Sequence, residues 1–524
     1  MKLRSVFPLL FLFCAGALHA DPLSIATGKN ADIFAPGETL TFQILHFPGE
    51  SGKYEITDSD DTLIASGDIL FTEGMALLQL PPRKEWEKRH LTFSIGGKSV
   101  SFAVLPERTS AKGGDDRFGC WINKDRFCEK LYEAGVRIGV TTSYPHWNLD
   151  RQDEWLLYLP NKFGMTITTN WMVAPLSYNY RQHKDAPARP GLMRSPETRD
   201  FAERAETYAR DHAWPKGVIR TSDSLSGEYC FFDTVKADNL RDQHRIFYDA
   251  VKRGAPDMKV GLGLFMPYGA SSLKCILAGT TPDTLKFDYV GYDVCGIGDG
   301  IEDFLKSEIR IMEHWGRRVP QWVCEIWGSD WDDHEAAASV CRIYGACLGL
   351  NCVEVDWHAA SSLYENREEW EEARRQKKIP AIFLPKFPQA LFRGKNYSIT
   401  QSGIAYFHLY DKLSFAEPLG EIREDFNLAS YRFRKKDGSF VTMFWTRRYP
   451  AEVTLGTSEK TIRITDFMGN HIQDAAPADG AVVLPLKSYP VYVESGSELD
   501  IRDMKILSRN WRENKIRQRN IEIK

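Results

Sequence analysis

The chain has 524 residues, 43% of them hydrophobic and 26% charged, which excludes a disordered or low-complexity protein and leaves room for two to four domains of about 150 residues each. The 67 Lys and Arg residues nearly balance 71 Asp and Glu, for a formal charge of −4, so there is no electrostatic footprint for nucleic acid. Aromatic residues reach 12%, with 14 Trp and 21 Tyr, a supply that suits either a large core or surfaces on which sugars stack.

The first twenty residues read as a cleaved export signal. Lys2 and Arg4 precede a short apolar run at 6–17, and small residues follow at Ala15, Gly16, Ala17 and Ala20. The run falls short of the ~20 residues a membrane span needs. A secreted or periplasmic protein, cut after Ala20 and free of the membrane, is expected. Ten cysteines would suit a disulfide framework. Cys14, however, leaves with the signal, the remaining nine are an odd number between Cys120 and Cys352, and several sit inside apolar runs. No pair has CxxC spacing and no histidine cluster accompanies them, so neither a metal nor a cofactor is expected.

Residues 21–107 alternate in short strand-like runs, at 39–45, 52–57, 76–80, 91–95 and 99–105, broken by turn signals such as Pro36-Gly37 and Gly96-Gly97. This pattern predicts an N-terminal antiparallel β-sandwich. A polar linker at 108–116 follows.

The rhythm then changes. Apolar runs at 118–122, 137–141, 165–170, 218–221, 259–265, 287–294, 321–326 and 352–357 alternate with amphipathic stretches at 124–135, 197–212, 235–252, 301–315 and 335–348. Eight nearly continuous apolar strands separated by helices predict parallel strands buried on both faces, and the count of eight predicts a (β/α)8 TIM barrel over 117–418, closed by a last helix at 404–413.

From 420 to 498 strands return, with Asp437-Gly438 as a hairpin turn between 430–434 and 440–445, then 461–465 and 482–486, predicting a C-terminal antiparallel β-sandwich. The segment 501–524 reads as a basic tail: Arg502, Lys505, Arg509, Arg512, Lys515, Arg517, Arg519 and Lys524 suit a solvated terminal helix or contact with an anionic polysaccharide.

In a parallel barrel the reactive groups stand at the C-terminal ends of the strands. Two glutamates fall there: Glu228, in Ser226-Gly227-Glu228 just past the fourth strand, and Glu325, in Val323-Cys324-Glu325-Ile326-Trp327-Gly328 at the end of the seventh. Both have apolar or aromatic neighbours, where an unpaired carboxylate is costly. Two facing carboxylates are what glycoside hydrolysis requires, one protonated to donate to the leaving oxygen and one ionised to attack or stabilise the anomeric carbon. Gly261-Leu262-Gly263 lacks a third glycine and sits within a strand, which argues against a dinucleotide site.

This arrangement resembles clan A of the retaining glycoside hydrolases, whose (β/α)8 barrels carry an acid/base Glu at the end of strand four and a nucleophile Glu at the end of strand seven. The resemblance covers 117–418 by strand order and implies Glu228 as acid/base, Glu325 as nucleophile and Trp357 as the residue flooring a sugar site. The family usually has Asn before the acid/base, where this chain has Gly227. Asp223 is therefore the substitute candidate for the acid. Further candidates for contact with a carbohydrate substrate are His146 and Trp147 after strand two, Trp171 after strand three, Tyr292 and Asp293 at the end of strand six, and Trp327 beside the nucleophile segment; each also suits ordinary packing. Trp331 could likewise stack on a sugar ring, and Asp330, Asp332 and Asp333 read as a solvated turn. The alternatives are an inverting enzyme using Asp223, Asp293 or Asp356, and a non-catalytic glycan-binding protein. The sugar, the linkage and the oligomeric state are not legible in the residues.

Overall fold

A computed structural model describes residues 23–121, 128–143, 155–172, 196–212, 218–221, 234–265, 272–294, 297–328, 332–362, 364, 367–376, 389–475 and 479–515. The N-terminal strands form two sheets. One holds Ser24–Ala26, Leu40–Leu45 and Ala76–Leu80; the other runs Ile33–Phe34, Lys98–Val104, His90–Ile95, Ser51–Asp58, Leu63–Leu70. Alternation decides the packing: Leu40, Phe42 and Ile44 of one sheet and Leu91, Phe93 and Ile95 of the other are all buried. Phe42 stacks on Phe93 between the sheets, with centroids 4.3 Å apart.

The central sheet is parallel and curled. Its order is Thr166–Ile167, Thr142–Ser143, Phe118–Cys120, Cys352–Trp357, Gln321–Ile326, Tyr289–Asp293, Val260–Phe265, Val218–Thr221 and Thr169–Met172. The two ends of that order are neighbours along the chain, separated by Thr168 alone. Helices Glu129–Ile138, Trp155–Phe163, Pro196–His212, Thr234–Gly254, Ser272–Leu277, Ile301–Trp315 and Asp333–Gly349 fall between the strands in sequence. The run expected as a strand at 137–141 is corrected here: Arg137 and Ile138 finish a helix, and the strand is Thr142–Ser143. Its mixture of apolar and small residues serves a buried helix end as well as a strand.

The helix Asp333–Gly349 is capped by Asp332, whose carboxylate accepts from the backbone N–H groups of His334 and Glu335. It is buried on nearly every face because the central sheet lies on one side and the C-terminal strands on the other. Asp333 pairs with Arg393 at 2.6 Å. Asp332 and Asp333 thus cap and anchor a helix rather than forming a solvated turn.

The C-terminal strands form a six-stranded sheet, ordered Glu417–Glu421, Leu428–Arg434, Phe440–Thr446, Val491–Ser495, Ile462–Asp466, His471–Ala475, and a three-stranded one, ordered Ala481–Leu486, Ala451–Gly456, Asp500–Ile506. The reading of 501–524 as a solvated tail is corrected in its first half. Asp500–Ile506 is a strand paired with Ala451–Gly456, and buried Asn514 exchanges hydrogen bonds with Thr446 and accepts from the Ser488 hydroxyl. A buried cluster ties this unit to the central one: Arg447 and Lys306 hold the carboxylates of Glu302 and Glu421, with Lys306 Nζ 2.8 Å from Glu302 and 2.7 Å from Glu421. Burial alone would raise the Glu302 carboxyl, but the two cations hold it below its ordinary range. Among the described residues no helix is long and apolar enough to cross a membrane.

Candidate active site

The C-terminal ends of three adjacent strands bring acids together. Asp293 ends Tyr289–Asp293 and pairs with Cys324; Glu325 lies one residue before the end of Gln321–Ile326; Asp356 lies one residue before the end of Cys352–Trp357. Their exposures are 7%, 8% and 0%, so all three carboxyls are removed from bulk water.

The two faces of the sheet can be told apart. Tyr289, Trp322 and Cys324 form a small cluster with Trp121, and Trp322 meets Tyr289 edge-on with centroids 6.0 Å apart. Thr168 donates to Glu354 at 2.7 Å, a bond between segments that are not neighbours in the sheet, so it crosses the concave side. Residues alternating with these, including Val323, Val355 and Trp357, belong to the large core shared with the helices, and Ile326 joins them there.

The Gln321–Ile326 strand carries a bulge where it ends. Val323 pairs with Val355 and Ile326 with Trp357, so Cys324 and Glu325 together oppose the single residue Asp356. Glu325 absorbs the extra residue in the left-handed region, at φ 54°. That conformation is uncommon and strained for a side chain with a Cβ, and such residues cluster where function demands them.

An aromatic stack lies over the same strand ends. The His358 ring lies 3.5 Å from that of Trp121 at 11° and 4.8 Å from that of Trp327 at 29°. The ladder runs on to hold them: His358 N–H donates to Ile326 O at 3.0 Å and Trp121 N–H to Trp357 O at 2.9 Å. Gln389 locks the adjoining backbone, accepting from Gly328 N–H through its side chain and from the Trp357 indole through its carbonyl at 3.0 Å.

The sequence candidates are placed unequally. Glu325, Asp293 and Trp327 fall at the C-terminal ends of two neighbouring strands. Trp357 is fully buried in the helix-side core with its ring near Tyr344, and Tyr292 also faces the helices, edge-on to Phe304 at 5.1 Å, its phenol pushed well up by burial and then by Glu308. Trp171 lies in Thr169–Met172 opposite Arg220. Glu228, His146 and Trp147 lie outside the described residues, as do Asp223, Asp330 and Trp331. The sequence reading missed Trp121, His358 and Gln389. The first two directly follow strand ends, the one cue available; Gln389 comes from a distant segment and has none.

A carboxylate held at a strand end, on the strand beside that of a second acid and near an aromatic stack, can act as nucleophile or acid–base group.

No protein-family model matches the chain, and no curated protein does. Among solved structures, a β-xylosidase from Caulobacter crescentus aligns at 12% identity over 74% of this chain and 98% of its own, with a TM-score of 0.45. An FMN-binding β-glucuronidase from Faecalibacterium prausnitzii aligns at 10% identity over 91% of this chain and 73% of its own, with a TM-score of 0.35. A β-glucuronidase from Parabacteroides merdae aligns at 9% identity over 90% and 75%, also at 0.35.

Proposed function

We propose that this chain is an exported retaining β-glycosidase that cleaves O-glycosidic bonds of a poly- or oligosaccharide by double displacement. Its curled sheet is read as a (β/α)8 barrel whose ends join at Thr168, flanked by the two sandwiches. The observation that carries the reading is Glu325: a carboxylate 8% exposed, set at a strand end by a bulge and a left-handed backbone, on the strand that pairs with Asp293 and leads into the aromatic stack. Nothing in packing alone requires an acid in that conformation.

In this reaction Glu325 attacks the anomeric carbon while Glu228 protonates the departing oxygen. Glu228 then deprotonates a water, which releases the glycosyl-enzyme and restores both carboxyls. The two carboxyl groups should stand about 5–5.5 Å apart, since a wider gap of about 6.5–9.5 Å leaves room for direct attack by water and gives inversion. Trp121, half-buried at the outer end of the stack with His358, is the ring that would meet the C–H face of a sugar, since His358 and Trp327 are buried.

The test is an aryl-glycoside panel run beside a polysaccharide panel. Glu325→Gln should abolish turnover with the fold intact. Glu228→Gln should slow substrates with poor leaving groups far more than activated aryl glycosides. Near-normal turnover of a natural substrate by Glu228→Gln would remove Glu228 as the acid and return attention to Asp223.

A further inference from the structure

The glutamate of the proposed reaction owes its direction to the bulge, and one buried acid stands where it can hold that bulge. Trp322 and Cys324 face the concave side of the sheet. Strict alternation would send Glu325 out among the helices and Ile326 inward. Instead Ile326 packs in the helix-side core, in register with Trp357. Glu325 is therefore the surplus residue, released from the helical layer by one inserted position.

Asp356 is the residue opposite that insertion. Its Oδ2 accepts the indole N–H of Trp322 at 2.7 Å, three residues before Glu325. Its Oδ1 lies over Gly119, its register partner on the other neighbouring strand, where an added Cβ would come within 1.9 Å. One carboxylate therefore spans three strands, and Gly119 leaves the space for it. The clamp is rigid, because Trp322 is 1% exposed and is braced edge-on by Tyr289. A wholly buried carboxylate is costly to desolvate, and well-packed apolar groups often replace one without loss of stability, so stability alone does not account for an acid here.

We propose that Asp356 is a positioning residue: by holding Trp322 it fixes the bulge that turns Glu325 out of the helical layer and into the site. This rests on Glu325 being the nucleophile.

The experiment measures the rate at which 2,4-dinitrophenyl 2-deoxy-2-fluoro-glycosides of the gluco, galacto, manno and xylo series label Glu325, read as a peptide mass shift, with thermal unfolding of each variant in parallel. Asp356→Ala should slow labelling on the order of a hundredfold with little change in the concentration giving half-maximal rate, as expected when reacting atoms are misplaced by about 1 Å. Trp322→Phe should slow it comparably, and the double variant should be no slower than the worse single one, because both remove the same bond. Asp356→Asn keeps an acceptor for the indole and should stay within about threefold of the parent. Parent-like labelling by Asp356→Ala, additive losses in the double variant, or an Asp356→Asn as slow as Asp356→Ala would each overturn the proposal. Should one variant fail to fold, the other two still decide it. A parent protein that none of the four reagents labels would instead overturn the reading of Glu325 as nucleophile, and this inference with it.

Discussion

The hydroxyl of Thr168 lies 2.9 Å from Oε1 and 2.7 Å from Oε2 of Glu354, across the concave side of the central sheet. Thr168 is the one residue between Thr166–Ile167 and Thr169–Met172, the strands at the two ends of the sheet order, and Glu354 is 2% exposed, so the bond ties that segment to the Cys352–Trp357 strand.

Thr168→Val should therefore destabilise the protein by about 1–3 kcal/mol, the cost of leaving a buried carboxyl without this hydrogen bond. Thr168→Ser should recover most of it. Chemical denaturation of the three proteins measures this, and equal midpoints would show that the bond contributes nothing.

Stability should also fall on acidification, through two histidines. Burial holds His408 and His90 at about 4 in the folded protein, against 6.5 for the free group. The unfolded chain therefore binds a proton at each between pH 6.5 and 4 that the folded chain refuses. Their contribution is complete above pH 6.5 and is lost as pH falls through that window, by up to about 1.4 kcal/mol per pH unit for each. Asp466 acts with the opposite sign: burial lifts it to about 6, the folded chain binds its proton first, and falling pH from 6 toward 3.8 favours folding. His408→Gln can still donate to the Lys88 carbonyl, which His408 Nε2 meets at 2.6 Å. It should flatten the pH dependence of unfolding free energy by close to one proton. A profile parallel to the parent's would remove His408 from this account.

Arg447→Ala should be among the most damaging changes far from the site. It strips Glu302 and Glu421 of a cation they share, leaving Lys306 alone beside two carboxylates of 7% and 10% side-chain exposure. Breaking a buried ion cluster from one side costs about 3–5 kcal/mol. Equilibrium unfolding checks it, and a loss under 1 kcal/mol would mean that water reaches the cluster.

Much of the chain was legible before its structure. The strands at 218–221, 321–326 and 352–357 and the helix at 301–315 fall where the apolar pattern put them, because buried parallel strands and amphipathic helices differ plainly in period. Trp155–Phe163 was missed because Pro160 interrupts its helical pattern, and Asp500–Ile506 because its side chains alternate mostly half-exposed and exposed, hiding a strand inside a basic segment. The strand-end positions of Glu325 and Asp293 were legible from the apolar pattern, and the structure has both residues there. The facing of Tyr292 was not, since a strand buried on both sides shows no alternation to read. The bulge was invisible as well: no residue type signals a left-handed glutamate, and it appears only once Val323 and Ile326 are seen against Val355 and Trp357.

Azide separates a nucleophilic Glu325 from a structural one. In Glu325→Gly the nucleophile is gone and the space it leaves admits a small anion. With an activated aryl β-glycoside and added azide, the account predicts recovered turnover and an α-glycosyl azide as product, identified by NMR. A variant that azide does not revive, while Glu325→Gln still turns over the same substrate, would contradict it.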